Sequence, residues 1–155
     1  MLLLQQALPA QTAKAVPLPK RFEVYYELRA DTFDSEKKTR VFDAVGGQIT
    51  YNAELTNEEK QKTYEAIVQN NLLKVKNSFT DLGNVNVEPA SLGKLRLKID
   101  GTTKEIRFNS AYGWAKGGNT PDEEWTRLRN VLDVIERILR DKDRQQKLPP
   151  HQLYL

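Results

Sequence analysis

Lys94-Leu95-Arg96-Leu97-Lys98-Ile99-Asp100-Gly101 decides the architecture. Leu95, Leu97 and Ile99 fall on one side of an extended chain and Lys94, Arg96 and Lys98 on the other. That alternation marks a strand with one face in a core and the other in water. Asp100-Gly101 supplies a turn, and Glu105–Asn109 returns as a second strand with Ile106 and Phe108 inward. A short hairpin of this kind joins antiparallel neighbours.

Working outward from it, Thr120-Pro121-Asp122-Glu123 combines an N-cap, a proline at the first helical position and a capping box. Trp125, Leu128, Leu132, Ile135 and Leu139, reinforced by Val131 and Ile138, then share one helical face. Leu148-Pro149-Pro150 closes that helix region. Towards the N-terminus, Phe22, Val24, Tyr26 and Leu28 alternate with Glu23, Tyr25, Glu27 and Arg29, a second clean half-buried strand. Ala30 to Lys38 reads as a polar loop. Arg40–Val45 and Gln48–Leu55 flank Gly46-Gly47, a two-residue hairpin connection, and Ile49, Tyr51, Ala53 and Leu55 share a face of the second arm. Thr56-Asn57-Glu58-Glu59 is another capping box. It starts a helix whose buried stripe is Tyr64, Ile67 and Val68 and whose stop is Asn70-Asn71. Residues 76–93 read mostly as loop, with Phe79 and Leu82 as anchors.

The grouping of about five strands and two helices specifies an α+β fold: an antiparallel sheet with both amphipathic helices packed on one face. Glu23, Tyr25, Glu27, Lys94, Arg96, Lys98 and Arg107 then face water on the other. With 155 residues, the chain divides into an N-terminal segment (1–20), a single domain (21–148) and a C-terminal tail (149–155).

Composition narrows the chemistry. The chain has no Cys and one His, so disulfides, thiolate catalysis and Cys-ligated metals are excluded and no cofactor is expected. His151 lies in a proline-flanked tail with nothing nearby in sequence to orient it as a general base. The 24 basic and 21 acidic side chains leave a net charge of +3, which disfavours a dedicated nucleic-acid binder. Lys94, Arg96, Lys98 and Arg107 nevertheless form a basic stripe that could take an anion. Cross-strand pairing with neighbouring glutamates is the simpler account. Asp31, Asp34 and Glu36 do not have the spacing of a calcium loop. Asp122, Glu123 and Glu124 fit the positive end of a helix better than a pair of catalytic carboxylates. A carboxylate-based hydrolase would need two acids converging from separate elements.

Tyr112-Gly113-Trp114-Ala115-Lys116-Gly117-Gly118-Asn119 is the most unusual loop, with two large aromatics among three glycines. It lacks the Lys-Ser or Lys-Thr of a phosphate loop. Two readings stand side by side. Tyr112, Trp114, Lys116 and Asn119 present a contact surface for a protein or a glycan, or Trp114 folds back to cover the sheet while the glycines permit the tight path. The expected function is a non-catalytic module that binds a partner.

Met1-Leu2-Leu3-Leu4 and Ala7-Leu8-Pro9-Ala10-Gln11-Thr12-Ala13 read either as the end of a secretory signal, with a mature start near Gln11, or as a disordered tail. The first places the protein in the periplasm or outside the cell; a native start would place it in the cytoplasm. Taken in order, Phe22-Glu23-Val24-Tyr25-Tyr26, Leu55-Thr56-Asn57-Glu58-Glu59, the Leu95–Ile99 strand, the long final helix and Lys147-Leu148-Pro149-Pro150 give a layout that resembles small exported proteins of Bacteroidetes-type bacteria. The resemblance implies an envelope or secreted location and transfers no catalytic residue.

Overall fold

In the computed structural model, residues 15–84, 91–115 and 122–151 are described. The strands are β1 (Phe22–Leu28), β2 (Asp31–Asp34), β3 (Thr39–Ala44), β4 (Gly47–Asn52), β5 (Ser78–Phe79), β6 (Leu92–Ile99) and β7 (Thr102–Asn109). They form one sheet in the order β4-β3-β2-β1-β6-β7-β5. The helices are α1 (Asn57–Gln69), the single turn α2 (Tyr112–Ala115) and α3 (Glu123–Gln145), with a 3-10 turn at Leu72–Lys74.

The architecture is α+β, but the sheet has seven strands rather than about five, is mixed rather than antiparallel, and is accompanied by three helices rather than two. Both additional strands come from stretches that read as loop. Arg29 turns the chain with a left-handed φ of 56°, and β2 folds back on β1 with Phe33 opposite Tyr26. β5 lies parallel to β7; its Phe79 is fully buried, and the Asn77 carbonyl accepts from the Arg107 amide at 2.9 Å. The β3–β4 turn is shifted by one residue from expectation. Val45 and Gly46 form it, and Gly47 already pairs with Ala44; φ is 95° at Gly46 and 136° at Gly47, angles that glycine adopts without strain.

The capping box of α1 is formed in both directions. The Glu59 amide donates to Thr56 Oγ1 at 3.1 Å, and the Thr56 amide donates to Glu59 Oε2 at 2.9 Å. Successive helix residues turn by about 100°, so with Thr63, Ala66 and Ile67 inward, Val68 is left exposed rather than buried. The cap of α3 is Asp122, whose carboxylate accepts from the Trp125 amide at 3.0 Å; the expected cap Thr120 and the proline after it lie outside the described residues. Leu128, Val131, Leu132, Ile135, Ile138 and Leu139 make the buried stripe of α3. They share one core with Ile67 of α1 and with Phe22, Val24, Tyr26, Leu95, Leu97, Ile106 and Phe108 from one face of the sheet.

One buried polar contact ties the β3–β4 end of the sheet to this layer. Arg40 of β3 and Asp143 near the end of α3 are 3% and 7% exposed. The guanidinium donates to both carboxylate oxygens, Nε to Oδ1 at 3.1 Å and Nη2 to Oδ2 at 2.7 Å, and the Tyr51 hydroxyl donates to Oδ1 at 2.6 Å. Burial opposes the charge on Arg40, but the bonded carboxylate outweighs it and raises the guanidinium pKa above its usual value. Beyond α3 the chain returns to the sheet. The Pro150 carbonyl accepts from the Val45 amide at 3.0 Å, His151 bridges to Ala44, its ring lies 3.9 Å from that of Phe42, and its Nε2 is 3.2 Å from Asp31 Oδ2.

Two outcomes follow for stability. Leu132→Ala should cost about 2–5 kcal/mol in denaturant unfolding, since the side chain is wholly inside the core. Arg40→Met or Asp143→Leu alone should cost about 3–5 kcal/mol by stranding a buried charge, whereas the double replacement should recover most of that loss. If each single change costs less than about 1 kcal/mol, the pair is not desolvated.

Candidate functional site

Within the loop singled out by its aromatics, the described residues Tyr112–Ala115 form a single helical turn. β7 ends at Asn109, whose side-chain oxygen accepts from the Ala111 amide at 2.9 Å. α2 then closes one turn, with the Ala115 amide donating to the Ala111 carbonyl at 2.8 Å. The turn separates its two aromatics. Tyr112 is buried at 4% exposure, and Trp114 projects outward at 74%. Trp114 therefore does not fold back over the sheet; Phe79, Tyr112 and Trp125 cover that end instead.

Three elements grip Tyr112. Its ring meets Phe79 edge-on at 5.3 Å and Trp125 at 5.2 Å. Its hydroxyl accepts from Lys76 Nζ at 2.9 Å and donates to Asp122 Oδ2 at 3.0 Å. Lys76 also reaches Asp122 Oδ2 at 3.4 Å and lies over the Phe79 and Tyr112 rings at 4.8 and 5.2 Å. Gly113 is required here by close approach, because a Cβ would stand 2.4 Å from Trp125 Nε1. Burial raises the Asp122 carboxyl, but the Trp125 amide, the Tyr112 hydroxyl and Lys76 together outweigh it and hold its pKa below the usual range. The Tyr112 hydroxyl holds the Lys76 ammonium above its own, against burial and with help from Asp122. Asp122 thus caps α3 and anchors Tyr112 with the same carboxylate. Lys76 gave no local signal of this role, and Asp122 signalled only a helix start. Lys116 and Asn119, the other two candidate contact residues, lie outside the described residues.

Leu92, 55% exposed at the start of β6, pairs with Asn109 at the end of β7. Its side chain and the Trp114 turn thus sit at the same end of the sheet, giving that end two exposed large apolar groups.

The basic stripe assembles on the open face of the sheet, where Lys98 and Arg107 sit in ion pairs and Lys94 and Arg96 lie near the Tyr25 ring. Lys98 Nζ is 2.7 Å from Glu36 and 3.7 Å from Glu23, and Arg107 is 3.3 Å from Glu105. Arg96 lies 4.7 Å and Lys94 6.0 Å from the centre of the Tyr25 ring. Desolvation and a 2.6 Å bond to Glu27 push the Tyr25 hydroxyl up to about 12. Across the strands, Glu27, Lys94 and Arg107 occupy one register row and Tyr25, Arg96 and Glu105 the next. Glu27 faces Lys94 and Glu105 faces Arg96, as on a wet, mostly charge-paired face, while Lys94 and Arg107 stand as like-charged neighbours.

Asp143 sits on Arg40 and Tyr51, and Glu136 on Arg129 at 2.6 Å and on Tyr26 at 2.9 Å. Among the described residues, no group of three His, Asp or Glu could hold a metal ion, and no helix is long and apolar enough to cross a membrane. Asp31 orients His151, but no hydroxyl of the described residues bonds to its ring.

The anchor predicts a coupled loss. Tyr112→Phe should cost about 0.5–1.5 kcal/mol and Asp122→Ala about 0.5–2, and the double variant should lose less than their sum because both act on one cluster. The folded Asp122 value lies below the unfolded one, so its contribution to stability is complete above the ordinary carboxyl range and disappears as pH falls through the folded value. The stability gap between the native chain and Asp122→Asn should therefore close in acid unfolding once the pH has fallen well below the ordinary carboxyl range.

Compared with known proteins, the chain matches no protein-family model, and no curated protein matches it significantly.

Proposed function

We propose that the protein is a non-catalytic binding module that takes a protein or glycan partner through Trp114 in the bacterial envelope. The observation that carries this reading is the pairing of an indole left 74% in water with a turn tied down beneath it by hydrogen bonds among Tyr112, Lys76 and Asp122. Leaving a large aromatic in water forgoes a strongly favourable burial, and a rigid anchor removes much of the ordering cost of binding. An indole held this way offers a flat apolar face to an apolar pocket or to the C–H face of a sugar ring. Leu92 is a second exposed apolar side chain at that end of the sheet. The placement of Asp143 and Glu136 against cations supports binding over carboxylate chemistry, and the mostly charge-paired strand face supports it over anion capture.

The test is retention from a native envelope extract and on immobilised glycans, using the whole chain and its Trp114→Ala variant. Removing an exposed side chain should change stability by no more than about 0.5 kcal/mol, while retention of the partner should fall by a factor of about ten or more. Equal retention by the two forms would overturn the assignment of the surface.

A further inference from the structure

The two edges of the sheet are built differently. At one edge, β5 is only Ser78–Phe79, too short to template a new strand. At the other, β4 offers six residues, Gly47-Gln48-Ile49-Thr50-Tyr51-Asn52, which among the described residues pair with β3 on one side only. Natural edges are blunted by charges, prolines, bulges or shortness. β4 has none of these: it carries no Lys, Arg, Asp, Glu or Pro, and it pairs with β3 residue for residue.

Register identifies which groups are free. The Ala53 amide donates to the Lys38 carbonyl at 2.9 Å, so the bonded pairs of this hairpin are Lys38 with Ala53, Arg40 with Tyr51, Phe42 with Ile49, and Ala44 with Gly47. The backbone N–H and C=O groups of Gln48, Thr50 and Asn52 therefore point away from β3, along the open edge.

We propose that this edge pairs with the same edge of a second copy, antiparallel about a twofold axis at Thr50. In that register Thr50 faces its own counterpart, Gln48 faces Asn52, and Ile49 faces Tyr51. Every outward N–H and C=O of the three free residues then finds a partner, giving six main-chain hydrogen bonds across the axis. No like charges oppose each other, because the strand has no charges. Thr–Thr and aromatic–β-branched neighbours are favourable cross-strand pairs. A self-pairing strand meets the closure rule of an isologous dimer, so assembly stops at two copies. The dimer edge lies across the sheet from the Trp114 turn and leaves that turn free in both copies. Six-residue strands bury less than the roughly 1,200 Å² of a tight interface, which places the equilibrium in the micromolar range.

The experiment is sedimentation equilibrium of the whole chain at up to about 200 μM, beside Thr50→Lys, which puts two ammonium groups face to face at the axis without touching the β3 pairing. The native chain should approach twice 17.8 kDa, and Thr50→Lys should stay monomeric, with thermal unfolding equal to that of the native chain at dilutions where both are monomers. Because the chain has no cysteine, register can be read separately. Mild oxidation should crosslink Thr50→Cys but not Gln48→Cys, whose counterparts lie about 14 Å apart in this register. A native chain that remains monomeric, a dimer that survives Thr50→Lys, or equal crosslinking of the two cysteine variants would each overturn the proposal. A monomer that instead gains a strand only when an extended peptide is added would assign the edge to a different occupant and likewise overturn it.

Discussion

Arg40 and Asp143 hold together two parts of the molecule that apolar packing joins only thinly. The main core runs from β1, β6 and β7 to α1 and α3 and draws no residue from β3. At the β3–β4 end, the sheet meets α3 through a bidentate ion pair with a tyrosine hydroxyl added. Arg40 Nη1 also donates to the Val41 carbonyl at 3.2 Å, so the guanidinium meets its own strand as well as the helix. A contact of this kind adds modestly to net stability but strongly disfavours alternatives, since any other register of β3 would leave a charge buried without a partner. The position of β4, and hence of the open sheet edge, depends on it.

The opposite end of the sheet uses a different device. There the polar atoms of Lys76, Tyr112 and Asp122 close on one another around aromatic rings, and the result is a displayed side chain rather than a locked strand. Asp122 satisfies an amide at the start of α3 and the hydroxyl of α2 at once, so the beginning of the longest helix and the pose of the Trp114 turn cannot vary independently. The molecule thus has two ends fixed by polar contacts and a middle fixed by hydrocarbon.

What the sequence revealed followed the strength of its local periodicity. β1 alternates over seven residues, residues 94–99 of β6 over six and residues 105–109 of β7 over five, and the apolar stripe of α3 from Trp125 to Leu139 repeats over about four turns, so each announces itself without help from distant residues. β2 is Asp-Thr-Phe-Asp, a polar tetrapeptide with one apolar side chain; it becomes a strand because β1 and β3 flank it on both sides. β5 is two residues long and exists because Phe79 is drawn into the core beside Phe108. Val68 looked like core because it follows Ile67, yet helical geometry admits Thr63 instead, whose hydroxyl donates to the Glu59 carbonyl at 2.8 Å. At the site, the unusual composition of the loop was legible, but the opposite fates of Tyr112 and Trp114 were not. They depend on Lys76 and Phe79, more than thirty residues away, and no local pattern carries that information.

The same division of fates gives the protein two optical reporters. It has two tryptophans: Trp114 stands in water, and Trp125 is half-buried against Phe79 and Tyr112. A solvated indole emits towards the red and is quenched by dissolved iodide, whereas one packed among rings emits further to the blue and is shielded. The outer indole therefore registers what touches the surface, and the inner one registers whether the anchor beneath it is intact. Occupancy and integrity can be followed separately in one cuvette, without a label.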